Sequence, residues 1–329
     1  MTRRIDAARV RVAILDDYQH VARAIVDWEG ALPGAHLAFF HQPLRGQELV
    51  AALAGFDVVV TMRERTVLSR PILGALPDLK LLVVTGMGNN TAIDFSAAAD
   101  LGVTVCGTGA LHWGAVELTW GLILAVERHI PEEDRLVHEG GWQSTLGTSL
   151  HGGTLGLVGL GKLGSKVGEV GRAFGMRVVA WSPHLTAERA SRGGAELVTK
   201  QELFAASDVV SLHLVLGDTT RGVVGETELR AMKPTAILVN TSRGPIVEEG
   251  ALVRALREGW IAGAGIDVYD TEPLAAGHPL RSAPRSVLTP HLGYVTADNY
   301  RVYYGEALAD IQAFVGGAPV REVRPAIRV

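Results

Sequence analysis

Three segments near the end of the chain each lead from an apolar run into a side chain that could take part in chemistry. Arg243 follows the run 236–240, Glu272 lies just beyond the run 262–266, and His291 follows the run 286–288. A guanidinium can hold a carboxylate through two parallel hydrogen bonds. A histidine beside a carboxylate can exchange a proton near neutral pH. These residue types therefore predict acid–base chemistry on a small organic acid.

Each of these residues has an ordinary structural interpretation when it is considered alone. An arginine after a strand is often a solvated loop residue, and a single histidine is often structural. Their common position is more informative, because open parallel sheets bind ligands at the carboxyl ends of their strands. Asp267 lies inside one of the apolar runs, where a buried carboxylate needs a hydrogen-bond partner. We expect these side chains to meet at one edge of a sheet.

A glycine-rich turn, Gly159-Leu160-Gly161-Lys162-Leu163-Gly164, joins the apolar run 154–158 to the helix-like residues 162–174. A strand, a Gly-x-Gly-x-x-Gly turn and a helix in this order are typical of dinucleotide-binding domains. The glycines permit a tight turn, close approach of the backbone to the pyrophosphate, and close packing of helix and strand. We expect the turn, with Lys162 and Leu163 opening the helix, to bind NAD or NADP. The alternatives are a glycine turn in an unrelated α/β protein and a methyltransferase.

The segment after the next predicted strand bears on the choice between the two cofactors. NAD-binding domains usually carry an acidic residue there, which binds the ribose 2′-hydroxyl, but this chain has Ser182-Pro183-His184. Ser182 and His184 could hydrogen-bond a 2′-phosphate, and Arg189 could add positive charge. We expect NADP slightly more than NAD, although NAD could also bind through the ribose without a carboxylate.

Short runs rich in β-branched residues alternate with longer amphipathic segments, which predicts parallel sheets flanked by helices. The predicted strands are 10–15, 35–40, 58–61, 79–84 and 103–106 in a first series, and 154–158, 177–181, 196–198, 208–213, 236–240, 262–266 and 286–288 in a second. The predicted helices include 47–53, 69–76, 113–129, 162–174, 187–192, 201–205, 227–232, 248–258 and 297–315.

The two strand series predict two domains of the α/β class. One comprises residues 1–110 and 296–329, because the helix 297–315 is long enough to return to the first sheet. The other comprises residues 111–295 and contains the glycine-rich turn. The helix 113–129 is expected to end before Pro131, because proline commonly follows a helix.

Composition excludes several classes of partner. With 31 basic and 35 acidic residues the formal net charge is -4, so neither nucleic acid nor an anionic membrane is expected to bind. The single cysteine, Cys106, rules out a disulfide within the chain and favours a reducing compartment. The longest apolar stretch, 118–126, is too short to span a membrane, and residues 1–10 do not resemble a secretory signal. We expect a cytoplasmic protein, and no metal site, because the histidines lack the spacing of a zinc motif.

Taken together, these motifs resemble the D-isomer-specific 2-hydroxyacid dehydrogenases over essentially the whole chain. The resemblance rests on the glycine-rich turn, Asn240-Thr241-Ser242-Arg243-Gly244, Asp267-Val268 with Glu272-Pro273, and Pro290-His291-Leu292-Gly293. It implies a flavodoxin-like substrate domain and a Rossmann NAD(P)-binding domain. It also implies hydride transfer between a nicotinamide and C2 of a small D-2-hydroxy or 2-oxo acid.

The same resemblance implies roles for individual residues. Arg243 would orient the substrate carboxylate and polarise the 2-oxo group, His291 would exchange the hydroxyl proton, and Glu272 would tune His291. The remaining implied roles belong to the cofactor side: Asp267 would contact the nicotinamide carboxamide, Asn240 and Thr241 would line the floor of the site, and His213 would lie beside the cofactor.

Two segments of the first domain are similar to substrate-binding segments of this family. Arg63 resembles the arginine that meets an anionic substituent in the phosphoglycerate dehydrogenase branch, although a solvated Arg-Glu-Arg loop is an alternative interpretation. The loop with Gly86, Met87 and Gly88 resembles the one whose amides hold the substrate carboxylate. Tyr294 departs from the small residue common in the family, and its bulk argues against the usual small substrates.

The substrate class stays open at this stage between 3-phosphoglycerate and hydroxypyruvate or glyoxylate. The main alternative from another class is a dinucleotide-sensing binding protein of the corepressor type, which shares the architecture but has no turnover. We also expect a homodimer, because the helix 113–129 is apolar on more than one face and could pack against a second subunit.

Overall fold

The computed structural model describes residues 9–86 and 90–323. These described residues divide between two compact units, whose bounds along the chain are 1–111 with 296–329 (unit 1) and 112–295 (unit 2). Within the described ranges, no helix is long and apolar enough to cross a membrane. Each unit is built on its own parallel sheet.

The described part of unit 1 contains a five-stranded parallel sheet in the order β2-β1-β3-β4-β5. This is the flavodoxin-like strand order. Its strands are β1 (Arg11–Ile14), β2 (His36–Phe39), β3 (Val58–Thr61), β4 (Leu81–Val84) and β5 (Thr104–Gly107). Its helices are α1 (Ala22–Ile25), α2 (Trp28–Ala31), α3 (Gly46–Leu53), α4 (Arg70–Gly74), α5 (Phe95–Asp100) and α13 (Ala297–Val315).

The described part of unit 2 contains a seven-stranded parallel sheet in the order β12-β11-β10-β9-β6-β7-β8. Its strands are β6 (Thr154–Val158), β7 (Arg177–Trp181), β8 (Glu196–Leu197), β9 (Val209–Leu212), β10 (Ile237–Asn240), β11 (Gly263–Ile266) and β12 (Ser286–Leu288). Its helices are α6 (Trp113–Glu127), α7 (Ile130–His138), α8 (Lys162–Ala173), α9 (Ala187–Arg192), α10 (Lys200–Ala206), α11 (Glu226–Ala231) and α12 (Glu249–Glu258).

Burial on both faces explains why the strands of unit 2 are continuous apolar runs. All residues of β9, β10 and β11 are buried, as is usual for a sheet covered by helices on both sides. The strand order reverses between β6 and β9, and the crevice at such a switch point is where open α/β sheets bind ligands. The glycine-rich turn follows β6, so the topology places it at this crevice.

The predicted α/β fold with two parallel sheets is confirmed, with one local correction at Pro131. The helix predicted for 113–129 ends at Glu127, and His129 adopts a left-handed conformation with φ of 52°. Pro131 then lies in the first turn of α7 rather than at the exit of α6. Proline suits a first turn because the amide it lacks has no partner within the helix there.

Candidate active site

The glycine-rich turn after β6 forms a cradle that side chains would fill. Gly159 has a φ of 103°, and a Cβ there would lie 2.7 Å from the carbonyl oxygen of His213. A Cβ on Gly164 would collide with the carbonyl oxygen of Gly159. At Gly161, by contrast, no described atom lies within 4 Å of a Cβ position, so the backbone is open to a ligand.

The first turn of α8 supplies donors beside that open backbone. Lys162 and Leu163 are its first residues, and no described side chain caps the helix at Gly161. The first amides of a helix have no partner within it, and together with the helix dipole they favour an anion. The glycine turn and the amides of α8 therefore fit the pyrophosphate of a dinucleotide.

The segment after β7 lies at the same edge of the sheet. Ser182 is partly exposed and His184 is exposed. A turn closes here, since the amide of Leu185 donates to the carbonyl of Ser182. Arg189 Nη1 donates to the carbonyl of His184 at 3.2 Å, which brings the guanidinium back to the end of β7.

His213 follows β9, next to the glycine turn. Its Nε2 lies 2.9 Å from Ser211 Oγ. Burial lowers the pKa of His213 to about 4, so the imidazole is neutral at physiological pH. The residue can therefore bind a neighbouring group by hydrogen bonding or packing, without adding charge.

Arg243 lies in a loop that is held by hydrogen bonds between its own residues. Asn240 Oδ1 accepts from the amide of Ser242 at 3.0 Å, and Asn240 Nδ2 donates to the carbonyl of Arg243 at 3.0 Å. Ser242 Oγ donates to the carbonyl of Leu214. Arg243 Nη1 donates to the carbonyl of Ser242 at 2.7 Å, and Arg243 is partly buried. The loop thus fixes the guanidinium at the carboxyl edge of the sheet.

Two further contacts tie this loop to its neighbours. Thr241 Oγ1 lies 2.7 Å from Thr119 Oγ1, which joins the loop to α6. A Cβ on Gly244 would collide with the main chain of Tyr269, so the loops after β10 and β11 touch at backbone distance. Sequence reasoning missed both contacts because they join residues distant along the chain.

His291 and Glu272 form a hydrogen-bonded pair. Glu272 Oε2 lies 2.7 Å from His291 Nδ1, and Glu272 Oε1 accepts from the amide of Tyr269 at 3.0 Å. Both oxygens of the carboxylate are therefore oriented. With its proton on Nδ1, His291 donates a hydrogen bond to Glu272, and Nε2 is left as the atom that can exchange a proton with a substrate. Tyr294 packs edge-on against the imidazole, with ring centroids 5.3 Å apart.

Asp267 organises the turn that carries His291. Its side chain is fully buried and accepts from the amides of Leu292 and Gly293 at 2.7 and 3.0 Å, and from Thr289 Oγ1 at 2.6 Å. The amide of His291 donates to the main-chain carbonyl of the same aspartate at 2.8 Å. Burial raises the pKa of Asp267, while the hydrogen bonds oppose that shift. These contacts stabilise His291 in a left-handed conformation with φ of 55°.

Tyr269 is a second residue that sequence reasoning missed. Its amide orients Glu272, and its hydroxyl donates to the carbonyl of Thr289 at 3.0 Å, two residues before His291. The residue thereby bridges the loop after β11 and the end of β12. The backbone amide carries no residue-type signal, so composition and spacing could not have identified this contact.

Two of the four substrate-binding residues predicted in unit 1, Arg63 and Gly86, are joined by a hydrogen bond. Arg63 Nη1 donates to the carbonyl of Gly86, and the amide of Gly86 donates to Thr108 Oγ1 at 2.8 Å. The Arg63 side chain is only 19% exposed, so the interpretation as a solvated loop is wrong. Met87 and Gly88 lie outside the described residues.

The fold, the glycine-rich turn and the Glu272–His291 pair define an α/β protein. Its unit 2 is a dinucleotide-binding unit with an acid–base pair at the carboxyl edge of the sheet. Residues 120–293, more than half of the chain, match the model of the D-isomer specific 2-hydroxyacid dehydrogenase, NAD binding domain. The chain belongs to the D-isomer-specific 2-hydroxyacid dehydrogenases. It is an oxidoreductase that uses NAD(P) to transfer hydride from C2 of a 2-hydroxy acid or to C2 of a 2-oxo acid.

The names of individual proteins that are similar to this chain fit this family. A glyoxylate reductase of Aeropyrum pernix is 42% identical over 256 residues, which cover 75% of this chain and 76% of that one. A D-3-phosphoglycerate dehydrogenase of Archaeoglobus fulgidus is 34% identical over 84% of this chain, but the match spans only 52% of that protein. The crystal structure of a phosphoglycerate oxidoreductase from Vibrio cholerae O395 superposes with a TM-score of 0.89 at 38% identity, covering 94% of this chain and all of that one. These enzymes do not favour the alternative of a sensor without turnover.

Proposed function

We propose that this enzyme reduces a small 2-oxo acid to the D-2-hydroxy acid, with Arg243, Glu272 and His291 as its catalytic residues. The observation that carries the proposal is the 2.7 Å contact between Glu272 Oε2 and His291 Nδ1. It lies at the same edge of the sheet as Arg243 and the glycine cradle. An acid–base pair beside a dinucleotide cradle is what reduction of a carbonyl requires.

The proposed mechanism assigns each step on the protein to a residue of this chain. The guanidinium of Arg243 holds the substrate carboxylate and polarises the 2-oxo group. His291 Nε2 donates the proton that converts the developing alkoxide to the hydroxyl, and takes it back in the oxidative direction. Glu272 keeps the imidazole oriented and stabilises its charged form. A nicotinamide held in the cradle would supply the hydride or accept it.

The cofactor contacts follow from the cradle. Gly159, Gly161 and Gly164, with Lys162 and Leu163, would hold the pyrophosphate, while His213, Thr241 and Asp267 would contact the nicotinamide half. Asp267 in this proposal acts both on the cofactor and on the turn that carries His291. In unit 1, Arg63, Gly86, Met87 and Gly88 remain our proposed substrate-binding residues.

For the substrate we propose glyoxylate or hydroxypyruvate, with phosphohydroxypyruvate, the 2-oxo partner of 3-phosphoglycerate, as the second candidate. The bulk of Tyr294 argued against small substrates, but its ring is buried edge-on against the imidazole of His291, and these small acids stay our candidates. The glyoxylate reductase match extends over three quarters of both chains, whereas the phosphoglycerate dehydrogenase match spans half of that relative. Initial rates with NADH and NADPH against these acids and bulkier 2-oxo acids test the proposal. NAD(P)H binding without turnover of any of them would contradict it.

We further propose that NADPH is used slightly better than NADH. Ser182, His184 and Arg189 are the polar and cationic groups at the end of β7, and the segment 181–187 contains no carboxylate. An aspartate at such a position binds the 2′-hydroxyl of NAD and repels a 2′-phosphate.

Replacing Ser182 by aspartate should therefore shift the preference toward NADH. We expect kcat/KM for NADPH to fall by about 100-fold relative to that for NADH, because close like charges cost several kcal/mol. Ser191→Asp, which adds the same charge on the exposed face of α9, is the control and should leave the ratio close to that of the wild type. An unchanged ratio in Ser182→Asp would show that the 2′-phosphate does not bind here.

We also propose a homodimer, but through a different surface from the one that the sequence suggested. The apolar residues Val116, Trp120 and Ile123 of α6 are buried within unit 2 itself. Just beyond, the segment 130–146 exposes large apolar side chains, including 75% of Trp142 and 93% of Leu146. Exposed apolar patches of this kind commonly mark interfaces.

Sedimentation at micromolar concentration should give the mass of two chains. The double variant Trp142→Glu with Leu146→Glu should shift the protein toward one chain, while Val215→Glu, which alters an exposed valine elsewhere in unit 2, should not. A wild-type mass of one chain at every concentration would refute the dimer.

The domain organisation and the compartment complete the proposal. We assign the substrate domain to residues 1–110 and 296–329 and the NAD(P)-binding domain to residues 111–295. The boundaries of the two compact units, which lie within one residue of these positions, support that assignment. A cytoplasmic location is consistent with a single, buried cysteine, Cys106.

A further inference from the structure

A second histidine–carboxylate pair lies behind the catalytic loops. His278 Nε2 is 2.7 Å from Glu249 Oε1, and the two side chains are only 20% and 24% exposed. Glu249 is the first residue of α12, and His278 lies in the loop between β11 and β12. Neither residue has a part in the proposed chemistry.

The positions of the two partners along the chain are informative. Glu249 comes six residues after Arg243, and His278 comes six residues after Glu272. The pair therefore connects the segment that follows Arg243 with the segment that follows Glu272. Gly244 already approaches the main chain of Tyr269, three residues before Glu272, so the hydrogen bond between His278 and Glu249 forms a second link between the two loops.

The tautomer of His278 follows from its two hydrogen bonds. His278 Nδ1 accepts from the amide of Leu280 at 3.3 Å, and so caps the short 3-10 helix Pro279–Ser282. Because Nδ1 is an acceptor, the proton lies on Nε2, which donates to Glu249. One imidazole thus performs two tasks, capping its own loop and bridging to α12.

The loop that His278 anchors is also held by hydrogen bonds among its own residues and by a buried leucine. Arg281 donates to the carbonyls of Ala275 and Leu274 at 2.8 and 2.7 Å, and Leu280 is buried in the core below the sheet. These contacts keep the loop compact. Among the side-chain hydrogen bonds of its described residues 274–284, the one to Glu249 is the contact that reaches α12.

We propose that the Glu249–His278 pair is a positioning brace, which fixes the loop carrying Glu272 relative to the loop carrying Arg243. The inference rests on the proposed function, because it assigns the pair an effect on those catalytic residues. Small displacements matter in such a site, since a misplacement of about 1 Å can cost about 100-fold in rate. The glycine cradle at residues 159–164 follows β6 and belongs to neither segment, so NAD(P)H binding should change little when the brace is removed.

Two variants remove the bridge in different ways. Glu249→Ala removes the acceptor. His278→Asn keeps a side chain that caps a helix well but is too short to reach Glu249. We expect each to lower kcat for 2-oxo acid reduction by about 10- to 100-fold, and the double variant to be no worse than either single variant. The dissociation constant of NAD(P)H, measured by fluorescence, should change less than about twofold.

Conservative and control variants separate positioning from stability. Glu249→Gln keeps an oxygen that accepts from His278 Nε2, and should restore kcat to near the wild-type value. Lys233→Ala breaks the 2.6 Å pair between Lys233 Nζ and Asp208 Oδ1 at the opposite, amino edge of the same sheet. It should lower the melting temperature and leave kcat unchanged.

The outcomes distinguish this inference from the proposed function. If the wild-type enzyme turns over a 2-oxo acid and folded His278→Asn keeps the wild-type kcat, the brace is refuted, whether or not Glu249→Ala folds. Independent, multiplicative losses in the double variant would also refute it. If the wild-type enzyme turns over no 2-oxo acid, the proposed function itself fails.

Discussion

Replacement of His291 by alanine should lower kcat for 2-oxo acid reduction by about 100- to 10,000-fold, the usual contribution of general acid–base catalysis. The imidazole is the group placed to donate the proton, because Glu272 occupies its Nδ1 and leaves Nε2 for the substrate. Stopped-flow and steady-state rates at saturating cofactor would measure the loss. Glu272→Gln should lower kcat less, because it keeps a hydrogen-bond acceptor but removes the charge that stabilises the imidazolium.

Binding of NAD(P)H serves as the internal control for this variant. The cradle at Gly159 and Gly164 does not involve His291, so fluorescence titration should give a dissociation constant near that of the wild type. His36→Ala, which alters an exposed histidine on β2 of unit 1, should keep full activity. An active His291→Ala enzyme would remove this histidine from the mechanism.

Replacement of Arg243 by alanine should lower kcat/KM for a 2-oxo acid by about 1,000-fold or more. The guanidinium is proposed both to bind the carboxylate through two hydrogen bonds and to stabilise charge on the 2-oxo oxygen. A loss of this size corresponds to about 4 kcal/mol of transition-state stabilisation. Arg243→Lys keeps the charge but not the planar fork, and should recover only a small part of the activity.

The choice of substrate makes the test of Arg243 more specific. The wild-type enzyme should prefer glyoxylate strongly over acetaldehyde, which has the same reacting aldehyde group but carries a methyl group in place of the carboxylate. In Arg243→Ala the preference for the substrate with a carboxylate should become smaller, because the variant lacks the guanidinium that binds the carboxylate. An undiminished preference, or a wild-type rate in Arg243→Lys, would contradict the assigned role.

Much of the fold could be predicted because its signals are local. Buried parallel strands are short β-branched runs, such as Val58–Thr61, and turns or helices must separate them. The glycine-rich turn was recognisable because the spacing of its glycines is fixed by a tight turn and by close packing of the helix against the strand. The four-residue helices α1 and α2 were not predicted, since one helical turn leaves almost no periodic signal. Pro131 was misinterpreted because proline both follows helices and begins them.

The site could be predicted less completely, for a physical reason. Arg243, Glu272 and His291 were found because each side chain is chemically distinctive and follows a strand. The groups that hold them use backbone amides and close approaches, and these have no residue-type signature. The amides of Leu292 and Gly293 on Asp267 show this, as does the contact of Gly244 with Tyr269.

The central claim is that this chain brings a carboxylate-binding guanidinium and a proton donor to a carbon that receives hydride from a nicotinamide. Reduction of glyoxylate or hydroxypyruvate with NAD(P)H that carries deuterium at both C4 positions tests it most directly, with the product analysed by mass spectrometry and chiral chromatography. We predict a 2-hydroxy acid with one deuterium at C2, and the D isomer where C2 is a stereocentre. Consumption of the labelled cofactor without deuterium at C2, or tight binding without any product from the whole panel of 2-oxo acids, would contradict the account.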